Sequence, residues 1–152
     1  MTDADAGRFT VGVFQDVPAA EKGVEALKRQ GLLPESLTIL GKESAELAAM
    51  VERVVGAPPE RIEVEGLGSA LARGPLVAAL QGHDRGLTAL GIGGTMRRVG
   101  FQAHDGRIYD ALTVRGGVLV AIHSEPRAAD ALAVLFSYGG ANAAIGAWDG
   151  RV

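Results

Sequence analysis

The chain holds three histidines, His83, His104 and His123, and no cysteine. Without a thiol there is no thiolate nucleophile, no thiolate metal site and no disulfide framework. No two histidines stand at the H-x-H or H-x-x-x-H spacing that would set two ring nitrogens on one strand or one helical face, so no metal centre is expected. His83-Asp84 and His104-Asp105 juxtapose a base and a carboxylate, but neighbours on a loop rarely face each other. His123 is different, because it ends an apolar strand directly before Ser124, a helix-capping residue type. Strand ends of α/β sheets gather ligands, and a helix N-terminus favours neutral imidazole or a bound anion. Glu63 and Glu65 share one face of a charged strand, which is ordinarily solvated. Ser69, between Gly68 and Ala70, lacks the flanking pattern of a nucleophile elbow. Acid–base pairs, nucleophiles and metal ligands are thus all missing as constellations. The chain reads as non-enzymatic, with no catalytic, cofactor or metal residues.

Two glycine-rich stretches could approach phosphates. Gly66-Leu-Gly-Ser-Ala-Leu71 is half of a dinucleotide fingerprint, but Leu71 stands where the third glycine must be and would crowd helix against strand. A tight turn into a helix is the plainer reading. Gly91-Ile-Gly-Gly94 lacks the Lys-Ser/Thr of a phosphate loop and reads as a break between helices. The side chains best placed for a ligand or contact surface are Asp16, Tyr109, Arg115, His123 and Ser124, with Trp148 beside them. Each also has an ordinary role: cap, helix interface, C-terminal cation favoured by the helix dipole, strand end, edge plug.

These residues depend on elements that the hydropathy pattern outlines. Residues 1–8 read as a disordered arm, acidic and without the apolar core of a signal peptide. Phe9–Phe14 is a strand. Asp16 and Pro18 then open a helix with Ala20, Val24 and Leu27 on one face, and Gly31 ends it. Strand 36–40 completes a β-α-β unit. Helix 44–55 follows, and then Arg61-Ile-Glu-Val-Glu65, whose alternation fits an edge strand or an extended arm and whose charges would blunt an open edge. Short helices are expected at 75–80, 87–99 (broken at Gly91–Gly94) and 106–115. Val118–Ile122 is apolar throughout, as the buried centre of a sheet would be. Helix 127–138 and strand 144–148 close the chain.

A shift of 108 residues takes Pro18 onto Pro126, Leu27 onto Leu135 and Gly31 onto Gly139. The ends therefore read as pseudo-repeated β-α-β units, 9–41 and 117–149, flanking a Gly-rich helical insertion at 42–116. The expected fold is α/β (an α+β sandwich) in a single domain over 9–152. It has one mainly four-stranded, ferredoxin-like sheet with its helices on one face.

Net charge is −3 and the basic residues are scattered, which argues against a nucleic-acid groove. No run of roughly 18 apolar residues marks a transmembrane helix, and a cytoplasmic setting is expected. Apolar residues make up 47% of the chain but aromatics only 5%, beside 22 glycines. Such a surface points to a homo-oligomer, most simply a two-fold dimer, with 66–100 as its contact segment. The competing arrangement folds that segment back over the open sheet face.

Three stretches resemble the heat-induced general stress protein (YflT-like) family. They are Val11-Gly-Val-Phe14 with Asp16, Ala19, Ala20, Val24, Leu27, Gly31, Pro34 and Leu37–Leu40; Gly74-Pro-Leu-Val-Ala-Ala-Leu-Gln-Gly82; and Tyr109-Asp-Ala-Leu-Thr-Val-Arg-Gly-Gly-Val-Leu-Val120. The family's long Gly/Ala helical segment is reduced here to Gly66–Ala72. The resemblance implies a stress-associated role, mostly of unknown biochemistry, and transfers no catalytic residues. Two functions are kept in view. One is a non-enzymatic stress-associated protein acting through self-association or protein contacts. The other is a small-molecule-binding regulatory module with a cleft at the strand ends near Asp16 and His123.

Overall fold

The structure, a computed structural model, describes residues 9–123. It is a mixed α/β arrangement around one sheet of five strands. The strands are β1 (Phe9–Phe14), β2 (Leu37–Lys42), β3 (Glu60–Val64), β4 (Gly68–Arg73) and β5 (Val118–His123). Their spatial order is β1-β5-β2-β4-β3, and every neighbouring pair is antiparallel. The helices are α1 (Val17–Arg29), α2 (Ala45–Val55), α3 (Pro75–Gln81), α4 (Gly86–Thr95) and α5 (Ala103–Val114).

Local chemistry sets the first two helices. The Asp16 carboxylate accepts the Ala19 N–H at 2.9 Å, and the Ser44 hydroxyl accepts the Leu47 N–H at 3.0 Å, so each helix start is capped by its own side chain. Lys28 and Arg29 in the last turn of α1 complement the dipole. Gly56, at φ 86°, closes α2 in the left-handed conformation. The apolar stripes Ala20, Val24, Leu27 and Leu47, Met50, Val51, Val54 recur at helical spacing and are buried.

β5 lies between β1 and β2 and is buried except at His123, as its unbroken apolar run requires. Its residues divide between two cores by the strand period of two. Val118, Val120 and Ile122 pack with Phe14, Ile39 and Leu71 under α1 and α2. Leu119 and Ala121 pack with Val11, Val13, Ala70 and Ala72 under Leu76, Leu80, Leu87, Ile92 and Leu112 of α3–α5. Because β1 and β2 are both antiparallel to β5, they run parallel to each other with β5 between them, and β1-α1-β2 is a split β-α-β unit.

Two sequence expectations change. The sheet has five strands among the described residues, not mainly four, and the segment 42–116 contributes β3 and β4 besides its helices. Residues 68–73 form a strand, not a helix. Gly66 and Gly68, at φ 83° and 90°, make the turn out of β3, and the small residues after them pair on both sides, with β2 and with β3. Alanine has no strand preference of its own, so long-range pairing decides the conformation. Helices α1 and α2 cover one face of the sheet and α3–α5 the other, which is the competing arrangement in which the Gly-rich segment folds back over the open sheet face. The helix expected at 126–138, the strand at 144–148 and the arm at 1–8 lie outside the described residues. So does the comparison of repeats that depends on them.

The Gly-rich segment covers its own sheet. Gly74, at φ 126°, lies so close to β2 that a Cβ there would land on the Leu37 carbonyl oxygen and 2.5 Å from the Thr38 hydroxyl. Pro75 starts α3, and the Thr38 hydroxyl accepts the Leu76 N–H at 2.9 Å, a helix cap supplied by a neighbouring strand. The break expected at Gly91 is present, at φ 79° and ψ −177°. A Cβ there would meet the Glu65 carbonyl at 2.6 Å.

Candidate interaction site: an open sheet edge and its groove

The residues singled out by sequence do not converge. Phe14 pairs with Val118 and Phe9 with His123. Asp16 therefore lies beyond one end of this strand pair and His123 at the other, roughly 17 Å along the strand at about 3.4 Å per residue. The described residues form no single cleft holding both. Asp16 is spent as the α1 cap. His123 stacks on Phe9, with centroids 4.6 Å apart and planes at 16°. Tyr109 is 3% exposed and meets Phe101 edge-on at 5.6 Å, so it belongs to the core rather than to a surface. Arg115 is exposed at the C-terminal end of α5. Ser124 and Trp148 lie outside the described residues.

The other polar candidates serve the fold. Asp105 lies in the first turn of α5, not on a loop, and accepts the Gln102 N–H at 3.4 Å. Asp84 accepts from both terminal guanidinium nitrogens of Arg98, at 2.8 and 2.7 Å, which holds its carboxyl below the usual range. Arg98 also donates to the Leu80 carbonyl at 3.1 Å, so it ties the α3–α4 loop to the end of α3. Gln81 accepts the Leu87 and Thr88 N–H groups at 2.7 and 3.2 Å and thereby caps α4 from across the loop. Among the described residues, no group of three or more His, Asp or Glu is placed to hold a metal ion. Nor is any helix long and apolar enough to cross a membrane.

What stays open is the edge. Among the described residues β3 has β4 on one side and no strand on the other. The Val64 carbonyl accepts the Leu67 N–H across the turn at 3.0 Å, so Val64 directs its backbone toward β4. Backbone groups alternate sides along a strand, which turns Arg61 and Glu63 outward. The next outward residue, Glu65, donates its N–H away from the hairpin to the Leu87 carbonyl of α4 at 3.0 Å. The side chains of Arg61 and Glu63 are exposed, and Ile62 between them is half-buried on the α3–α5 face. Arg61 is only loosely engaged, 3.6 Å from Glu43.

An open groove of about 710 Å³ adjoins the Glu60 end of this edge. Leu37, Val55, Ile62, Ala72, Pro75 and Val77 give it apolar walls, and Arg73, Glu35 and Glu60 give it charge. Arg73 is steadied by donating to the Pro58 carbonyl at 3.1 Å. The alternating charge of 61–65 fitted an edge strand or an extended arm, and the structure has the strand. Nothing in the sequence pointed to the groove, whose walls come from segments that only the β2-β4-β3 pairing brings together. No family model, no curated protein and no solved structure matches this chain.

Proposed function

We propose that this chain is a non-enzymatic, stress-associated protein of the cytoplasm that works by self-association, two copies pairing along β3. One observation carries the assembly. The outward backbone groups of β3 belong to Arg61 and Glu63, which flank Ile62 with opposite charges. An antiparallel two-fold pairing centred on Ile62 sets Arg61 opposite Glu63 of the second copy and Glu63 opposite its Arg61. Each such pair exchanges its backbone hydrogen bonds and faces unlike charges across the strands. Shifting the axis to Arg61 or to Glu63 sets like charges opposite each other, so charge selects one register.

The apolar excess that first pointed to an oligomer is largely consumed internally, since Leu76, Leu80, Leu87, Ile92 and Met96 are buried in the chain's own core. This moves the contact from 66–100 as a whole to the edge. The stress association rests on the resemblance of the three stretches quoted above. In the same reading the chain is a ferredoxin-like duplication, supported by the parallel β1 and β2 with β5 between them.

The test uses the natural absence of cysteine. In the Ile62-centred register the two Ile62 residues form a non-hydrogen-bonded pair with Cα atoms about 4.5 Å apart, within disulfide range. Ile62→Cys should cross-link to a covalent dimer under mild oxidation, whereas Arg61→Cys and Glu63→Cys should not link to themselves. Arg61→Glu should abolish association, and Arg61→Glu with Glu63→Arg should restore it. A monomer at all concentrations in sedimentation velocity, with no Ile62→Cys cross-link, sinks the reading. Capture of an unrelated protein's strand by a monomeric chain would sink it too.

A further inference from the structure

Two large hydrophobic side chains are exposed among the described residues, Leu33 at 59% and Leu90 at 52%. Leu33 directly precedes Pro34, which lines the groove. Leu90 directly precedes Gly91, whose backbone presses on the Glu65 carbonyl at the opposite end of β3. Within one chain these two positions therefore flank opposite ends of the edge strand.

The two-fold pairing, on which this inference rests, brings them together. With Ile62 on the axis, Glu60 stands opposite Val64 of the second copy. The groove at the Glu60 end then adjoins the second copy's turn and the α4 segment bonded to it through Glu65 and Leu87. An axis normal to the sheet keeps equivalent faces on the same side, so α4 of the second copy arrives on the face that carries α3. The extent of the contact also calls for more than the strands. A five-residue edge alone falls short of the roughly 1,200 Å² that marks the low end of stable interfaces.

We infer that the groove is a reciprocal docking site for a second copy of this chain, with Leu90 of each copy seated against Pro75, Val77 and Ala78 of the other. The chemistry of the groove suits this occupant. Its walls are aliphatic, and its carboxylates, Glu35 and Glu60, stand on exposed positions where they can stay hydrated at the rim. The groove is thereby completed by the same event that pairs the edges, so assembly gains an apolar anchor that the strand pairing lacks.

Mixing two full-length single-cysteine proteins tests the inference. Ala78→Cys and Leu90→Cys chains, combined and oxidised, should form a mixed disulfide, and Leu90→Cys alone should not link to itself. Leu90→Asp, a change at an exposed position, should weaken the dimer about tenfold or more in sedimentation equilibrium while each chain stays folded by circular dichroism. A cross-link through Ile62→Cys without the mixed Ala78–Leu90 disulfide, and with no effect of Leu90→Asp, overturns the groove inference and leaves the edge pairing intact. Loss of both cross-links overturns both. A small molecule retained in the groove in native mass spectra, and displaced by neither variant, also overturns the second-copy occupant.

Discussion

On one face of the sheet, α1 and α2 meet the strands through branched and long side chains. On the other, α3, α4 and α5 also bury an aliphatic core against the strands, but several glycines there bring backbone against backbone. Val24, Leu27, Leu47, Met50 and Val54 fill the first interface, where a Cβ on Gly23 would lie 2.5 Å from the tip of the Phe14 ring and one on Gly41 would lie 3.0 Å from the Leu47 side chain. In the second, a Cβ on Gly106 would lie 2.9 Å from the Gly93 carbonyl, one on Gly117 would lie 2.7 Å from the Leu112 carbonyl, and one on Gly74 would strike β2. A side-chain interface can repack, because its atoms have rotamers to change. A backbone interface cannot, because the neighbouring carbonyl has nowhere to go. The same substitution should therefore have very different consequences on the two faces.

Glycine-to-alanine replacement gives the widest separation. Gly74→Ala adds a Cβ at a φ that L-residues avoid and drives it into the Leu37 and Thr38 backbone. A loss on the order of 3 kcal/mol is expected from strain and overpacking together, read as a large fall in the urea midpoint. Gly23→Ala gains helix propensity of about 1 kcal/mol, which offsets part of the cost of displacing the tip of the buried Phe14 ring, so its midpoint should fall less. Equal losses at the two positions would remove the contrast between the faces.

Caps sharpen the comparison at a smaller scale. On the α1–α2 face each helix start is capped by its own preceding residue, Asp16 or Ser44. On the other face the α3 cap comes from Thr38, which is fully buried on β2. Thr38→Val keeps the shape but strands the Leu76 N–H in the core, at a cost of about 1–3 kcal/mol. Ser44→Ala exposes its freed donor to water and should cost about 1 kcal/mol. Thermal melts of the two variants side by side decide the order.

The same contrast explains what could be read from the sequence. α1 and α2 were legible because cap, stripe and terminator are local and recur at helical spacing. β5 was legible because both its faces are buried, and β3 because its charges alternate. β4 was not, since Gly68-Ser-Ala-Leu-Ala-Arg73 has the composition of a turn and helix and becomes a strand only between β2 and β3. The distance between Asp16 and His123 followed from the antiparallel register of β1 and β5, which no local pattern encodes. The groove was hidden for the same reason. Arg61-Ile-Glu63 fitted an edge strand or an extended arm, but its role in pairing depends on which backbone groups face outward, and the turn hydrogen bond at Val64 decides that.

The smallest expected effects are electrostatic and opposite in sign on the two faces. On the α1–α2 face Glu21 takes two hydrogen bonds from Arg53, at 2.9 and 2.7 Å, and this pairing lowers its pKa. Its contribution is present above the unfolded carboxyl pKa and is lost as pH falls through the lowered value. It is a surface pair, so salt should weaken it as well. On the other face Asp110 projects from α5 toward Gly93, one of its oxygens is buried without a hydrogen-bond partner, and burial raises its pKa. A raised acid pKa means that the folded state holds the proton more tightly. The folded state is thus favoured at low pH, and that advantage is lost as pH rises through the raised value. Asp110→Asn removes the charge and should raise the melting temperature at neutral pH while leaving it nearly unchanged in acid. Glu21→Gln should lower it slightly at neutral pH and have no effect in acid. Melting temperatures of both variants and the parent across pH 3–8 separate the two. If Asp110→Asn were neutral at pH 7, the buried carboxylate would carry no penalty, and the α4–α5 crossing would be as well satisfied as the α1–α2 face.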